Sequence, residues 1–223
     1  QRSTIAVSAP ACSAAISACG RGDQWQRAAE MLAYMRQCRL TPNTFAYSAV
    51  VSAFSRGAQW QHAFDLLGEM QQHLCMPNTI TCSAMISACE RSQEWTHALD
   101  VLGQMWERNV TPNTITYNTT ISAISKAQRW RLALDLPLEM QRCSIPFDAI
   151  TYNTTIGAWS RAHGWQQALK LVGEMRDCCL APTAITYSGA MCACERGQAW
   201  QASLGLLADM RQRGVALDAF AYT

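Results

Sequence analysis

The sequence predicts an all-α chain, a superhelical α-solenoid of stacked helix-turn-helix hairpins. Two ladders and one recurring break carry that prediction. Trp25, Trp60, Trp95, Trp130, Trp165 and Trp200 are spaced by 35 residues, and so are Met35, Met70, Met105, Met140, Met175 and Met210. A Pro-containing break such as Thr41-Pro42-Asn43-Thr44 returns with the same period. A fixed period of this size marks an array in which each unit packs on its neighbours, not a domain with one central core.

Taken in order, residues 1–8 read as an irregular leader or the end of a preceding repeat. Six repeats follow at 9–43, 44–78, 79–113, 114–148, 149–183 and 184–218, and residues 219–223 open a seventh. The chain thus starts and stops inside the pattern, as a piece of a longer protein would. Within a repeat, Tyr117, Ile121 and Ile124 fall at 0, +4 and +7, one apolar stripe on a first helix. Trp60, Ala63, Phe64, Leu67 and Met70 form a second stripe on a second helix. The break Arg56-Gly57-Ala58-Gln59 separates the two, with Gly57 expected to turn the chain. Between repeats, Pro ends one helix, and Asn or Thr is placed to cap the next.

Both ladders lie on the second stripe, so core packing is the expected role of the tryptophans as well as the methionines. Burying an indole removes about 150–250 Å² from water. Pro137 falls inside the second helix of the fourth repeat and is expected to kink it. Pro10 replaces the apolar second residue of the other repeats, so the first repeat should begin irregularly.

The bulk numbers exclude several classes. The 223 residues carry a net charge of only +2, with 18 Lys and Arg against 16 Asp and Glu. Whole-chain charge therefore argues weakly for nucleic acid, and the placement of charge matters more. No apolar run reaches the roughly 18 residues of a membrane helix, so no membrane partner is expected. The eleven cysteines include no pair of Cys-x-x-Cys motifs, and no metal site is expected. Cys12, Cys19, Cys82, Cys89 and Cys194 stand where other repeats carry Tyr, Phe, Ile or Trp. They read as small buried apolar groups, implying reduced thiols and an intracellular setting. His62, His73, His97 and His163 pair with no nucleophile series, and no phosphate-binding glycine loop is present. The chain is expected to be no enzyme and to need no cofactor.

Three series remain once packing residues are removed. Arg21, Arg56, Arg91, Lys126, Arg161 and Arg196 place one cation at the end of each first helix. Such a position is favourable for any cation, by about 0.3–1 kcal/mol. Six of six, however, also suits a row of phosphate contacts. The fifth residue of each repeat is Ser13, Ser48, Ser83, Asn118, Asn153 or Ser188, and the last is Asn43, Asn78, Asn113, Asp148, Thr183 or Asp218. Capping explains the last residues, but the fifth lies too deep in the helix to be a cap.

With its Tyr-Asn-Thr-Thr-Ile and Glu-Met…Pro…Asp elements, the chain resembles the pentatricopeptide repeat family over residues 9–218. The Trp ladder departs from the aliphatic residue usual in that pattern. The tetratricopeptide family has a period of 34 and a Trp-x-x-Leu-Gly signature that is missing here. The resemblance implies single-stranded RNA binding, one base per repeat. It makes the fifth and last residues the base readers, with Phe45, Ile80, Ile115, Ile150 and Ile185 wedging between bases. It pairs Ser and Asn with A, Asn and Asp with U, Ser and Asp with G, and leaves Asn153 with Thr183 for a pyrimidine. The implied target, 5′ to 3′, is A-A-A-U-(C/U)-G. The resemblance also implies a chloroplast or mitochondrial RNA processing, stability or editing factor, with possible protein partners in such a complex. A peptide-binding helical scaffold without RNA affinity is the competing expectation.

Overall fold

The computed structural model describes residues 8–215. Twelve α-helices of 13 residues each are found among them. The chain divides into two compact units, the first ending at Pro112 and the second beginning at Asn113. The first contains α1 (Ala9–Arg21), α2 (Trp25–Gln37), α3 (Thr44–Arg56), α4 (Trp60–Gln72), α5 (Thr79–Arg91) and α6 (Trp95–Glu107). The second contains α7 (Thr114–Lys126), α8 (Trp130–Arg142), α9 (Ala149–Arg161), α10 (Trp165–Asp177), α11 (Ala184–Arg196) and α12 (Trp200–Gln212). Within each unit the odd-numbered helices pack on one another, and each even-numbered helix packs on its own partner and, where one follows in the unit, on the next odd-numbered helix. Both units are stacks of helical hairpins, and the fold class is the α-solenoid.

Small residues allow the odd-numbered helices to approach. Ala53, Ala88, Ala123, Ala158 and Ala193 recur at one position and are all buried. Gly20 belongs to the same layer, where an added Cβ would lie 3.5 Å from both the Ala49 carbonyl and the Ala53 side chain. On the even-numbered helices all six methionines of the ladder are buried. Tyr47, Tyr117 and Tyr187 are buried as rings but send their hydroxyls to carboxylates of their own hairpins. They donate to Glu69 at 3.1 Å, Glu139 at 2.7 Å and Asp209 at 2.6 Å. Burial, reinforced by Glu69, pushes the Tyr47 hydroxyl up to about 12. Arg36 reaches Glu69 and Arg176 reaches Asp209, so the same carboxylates tie neighbouring hairpins together.

Two expectations need correction. The tryptophans are not core residues like the methionines. Trp25, Trp60, Trp95, Trp130 and Trp165 are half-buried, and Trp200 is 66% exposed. The ring opens its helix, and the cover of Trp25 and Trp60 comes from the following hairpin. Trp25 lies 6.0 Å from Phe54 and 5.7 Å from His62, while Trp60 stacks on His97 at 4.6 Å.

Gly57 does not turn the chain. The left-handed residue is Ala58, with φ of 53°, and Asp23, Gln93, Gln128, His163 and Gln198 repeat it. Gly57 instead makes room for an indole, since a Cβ there would lie 2.5 Å from Trp25 Cδ1. Gly197 does the same for Trp165, at 2.2 Å.

Pro137 leaves the length of its helix unchanged. α8 runs through it for the same 13 residues as its counterparts, with the ring buried at a position that is Leu67 or Leu102 elsewhere. Only the hydrogen bond to the Ala133 carbonyl is forgone, because proline has no N–H.

Cys12, Cys82, Cys89 and Cys194 are buried, Cys19 is half-buried, and all eleven cysteines are free thiols. No helix among the described residues is long and apolar enough to cross a membrane.

Candidate nucleic-acid interface

Helices α3, α5, α7 and α9 begin at a side-chain cap. Asn43, Asn78 and Asn113 each accept the N–H of the residue three further on at 2.9 Å, and Asp148 does so at 2.7 Å. The cap fixes the first turn and so the direction of the residue two places beyond it. That residue is Phe45, Ile80, Ile115, Ile150 or Ile185, and all five are 60–69% exposed. Exposed apolar residues are ordinary one at a time. Recurring at one repeat position, against a buried stripe on the same helices, they make an apolar edge in each unit that the described residues leave exposed. Pro10, at the same position in the first repeat, is exposed too.

The fifth residues lie behind this edge. Ser13, Ser48 and Asn118 are buried, whereas Ser83, Asn153 and Ser188 are half-buried. The last residues Asn43, Asn78, Asn113 and Thr183 are exposed and Asp148 is half-buried, while Asp218 lies outside the described residues. Three pairs are seen to meet: one through a hydroxyl in the first unit, and in the second unit one directly and one through a hydroxyl. Ser48 Oγ lies 2.7 Å from Thr81 Oγ1, which lies 3.0 Å from Asn78 Oδ1. Asn118 Nδ2 donates to Asp148 Oδ1 at 3.0 Å. Ser13 instead donates to the Ala9 carbonyl at 2.9 Å, and Ala46 offers no hydroxyl to link it to Asn43. Asn153 is held by Thr186 at 2.7 Å, and Thr186 by Thr183 at 3.1 and 3.3 Å.

Asp148 is the most strongly organised of these side chains. Burial works to raise its pKa, but the N–H and hydroxyl of Thr151, the Asn118 amide and the Ile150 N–H outweigh it. The carboxyl is held below its usual value and is ionised at neutral pH. Asn118 Oδ1, by contrast, is buried without a hydrogen-bond partner. Turning the amide over would set that oxygen against the Asp148 carboxylate, so its orientation is fixed. A buried acceptor left unmet costs about 1–3 kcal/mol, and a donor arriving from a ligand would recover that cost.

A cleft of 630 Å³ in the first unit brings the apolar, small polar and basic positions together. Phe45 and Ile80, Ser48 and Asn78, and Arg21 and Arg56 all line it. The basic row is exposed throughout, yet it also has work within the fold. Arg56 donates to the Gly20 carbonyl, Arg91 to the Arg56 carbonyl at 3.4 Å, and Arg161 to the Ser125 carbonyl at 2.8 Å. Each thus reaches a carbonyl at the C-terminal end of the preceding odd-numbered helix, where a cation is favoured. A guanidinium has five N–H donors, so one carbonyl does not exhaust it.

The PPR repeat family model matches residues 42–91, 77–126 and 112–161, and again residues 150–180, while the pentatricopeptide repeat domain model matches residues 1–56. The chain belongs to the pentatricopeptide repeat family. Among solved structures it is similar to the pentatricopeptide repeat protein PPR10 from maize. The TM-score is 0.73 at 27% identity, covering 97% of this chain and 31% of that one. PPR10 in complex with an 18-nt psaJ RNA element gives a TM-score of 0.65 at 22% identity, covering 99% and 36%. The nuclear proteinaceous RNase P 2 from A. thaliana shares the fold at a TM-score of 0.65 and 8% identity, covering 74% and 37%. The chain therefore spans about a third of the length of these relatives. Comparison with curated proteins gives no match.

In this pentatricopeptide repeat array, one set of polar residues escaped the sequence reading. Thr81, Thr116, Thr151 and Thr186, the third residue of their repeats, are fully buried. Their hydroxyls serve the caps, and Thr81 and Thr186 also contact the fifth residue of the preceding repeat. The available signal was a threonine recurring inside an apolar stripe, as in Ile115-Thr116-Tyr117. Among the described residues no group of three side chains suited to a metal ion occurs.

Proposed function

We propose that the chain binds single-stranded RNA, one base per repeat, with the preferred order A-A-A-U-(C/U)-G from 5′ to 3′. The cleft that unites Phe45, Ile80, Ser48, Asn78, Arg21 and Arg56 carries this reading. Apolar side chains at its edge suit the faces of bases, small polar ones suit a base edge, and cations suit the phosphates. The unmet Asn118 acceptor suits the N3–H of uracil. A short serine leaves room for a purine, so Ser48 with Asn78 is assigned adenine. Ser83 with Asn113, and Ser188 with Asp218, take adenine and guanine by repeat register. The crystal structure of PPR10 with an RNA element adds support from a similar protein. The resemblance further supports a place for the chain within a larger organellar RNA processing, stability or editing factor, recognition being its own contribution.

The test is binding of the purified chain to fluorescent AAAUUG RNA, a scrambled RNA of the same composition and the DNA counterpart, at two salt concentrations. AAAUUG should bind best. Arg21→Gln should weaken all RNAs alike and lower the salt slope by about 0.7, the share of one phosphate contact on a single strand. Absence of RNA binding at low salt would overturn the proposal in favour of a peptide-binding scaffold.

A further inference from the structure

Asn118 and Asn153 hold the same place in adjacent repeats, yet their amides are engaged by opposite ends. Asn118 gives its Nδ2 hydrogen to Asp148 and keeps its carbonyl oxygen unmet. Asn153 receives a hydrogen bond on Oδ1 from Thr186 Oγ1 at 2.7 Å. That length is ordinary for O–H···O and short for N–H···O, which favours the oxygen as the atom facing Thr186.

Proton counting supports the same orientation. A threonine hydroxyl has one proton and two lone pairs. The Thr183 N–H, at 3.1 Å, and the Thr183 hydroxyl, at 3.3 Å, can fill the acceptor sites of Thr186. The proton is then left for Asn153, with Met175 Sδ, at 4.0 Å, only a weak competitor. In the preceding repeat, Thr151 spends the equivalent proton on Asp148 Oδ1 at 2.8 Å. The carboxylate collects that proton and the Asn118 amide hydrogen together. Replacing the carboxylate by the Thr183 hydroxyl releases the threonine proton toward the asparagine, and the amide reverses.

Uracil and cytosine differ at the atom such an amide would meet. N3 of uracil carries a hydrogen, whereas N3 of cytosine carries a lone pair. We propose that Thr186 is a positioning residue that turns Asn153 into a donor, so that the fifth repeat selects cytosine over uracil. This rests on the RNA-binding function proposed above and narrows its pyrimidine to one base. Thr186 is fully buried and does not itself meet the base.

The experiment compares AAAUCG and AAAUUG RNAs on the whole chain, with a fourth-position U/C pair as internal reference. The wild-type chain should prefer cytosine at the fifth position by about tenfold, within the range of good base readout. Thr186→Val keeps the shape and removes the hydroxyl. It should bring that ratio close to one while leaving the fourth-position preference for uracil unchanged. Thr186→Ser should restore it, which a merely structural role would not require. If Thr186→Val does not fold, Thr183→Asp serves instead and should turn the fifth position toward uracil. Equal binding of the two RNAs by the wild type, or a cytosine preference that survives in folded Thr186→Val, would overturn the proposal with uracil still read at the fourth position. RNA binding no better than DNA binding would overturn the RNA-binding reading and this one with it.

Discussion

Replacing Asn118 by serine, with Asp148 kept, is expected to switch the fourth base from uracil to guanine. The substitution removes the unmet acceptor assigned to uracil N3–H and shortens the side chain, opening space for a purine. It also takes one donor away from Asp148 Oδ1. That carboxylate keeps its bonds to the Thr151 N–H and hydroxyl, at 2.7 and 2.8 Å, and stays in place as an anion. Guanine offers two donors on its pairing edge, at N1 and N2, and is the base best able to answer it. The change in discrimination should be about 1–3 kcal/mol, as for other bidentate base contacts. A titration of the variant against the four RNAs differing only at the fourth base measures it. Retained preference for uracil would contradict the assignment of Asn118 and Asp148 as a reading pair.

The second large effect concerns stability, and it separates the two ladders. Met70 is fully buried, so Met70→Ala should destabilise its stack by about 2–5 kcal/mol, the loss of apolar transfer plus a residual cavity. Trp200→Ala should cost about 0.5 kcal/mol or less, because that residue is already 66% exposed. Urea unfolding followed by circular dichroism should therefore show an early transition for the methionine variant alone. Each hairpin leans on its neighbours, so this transition reports local loss of the stack before the rest. The reverse order of stabilities would show that the tryptophans hold the array together.

The repeat period made much of this architecture legible before any coordinates. The methionines, the first-helix stripe and the asparagine caps all follow from residues close together in sequence, and spacing alone places them. What spacing could not supply was contact between repeats. A tryptophan at the first position of its helix sits at the end of the apolar stripe, and its burial depends on what the following turn offers. Gly57 answers Trp25 and Gly197 answers Trp165, a relation hidden from any reading of one repeat. The basic row was legible as a row, but not the carbonyls that Arg56, Arg91 and Arg161 reach in the preceding odd-numbered helix. The threonine hydroxyls were the least visible. Thr81 and Thr186 meet Ser48 and Asn153 across 33 residues of sequence, and only the fold shows which proton goes where.

The most direct measurement is a complete single-base substitution panel across the six-nucleotide target, bound to the unmodified chain at fixed salt. The account predicts a separate preference at each position, with A, A, A, U, C and G in that order and losses of about 1–3 kcal/mol for a wrong base at a well-read position. A flat panel, or preferences that do not follow the order of the repeats, would contradict the claim that each repeat reads one base.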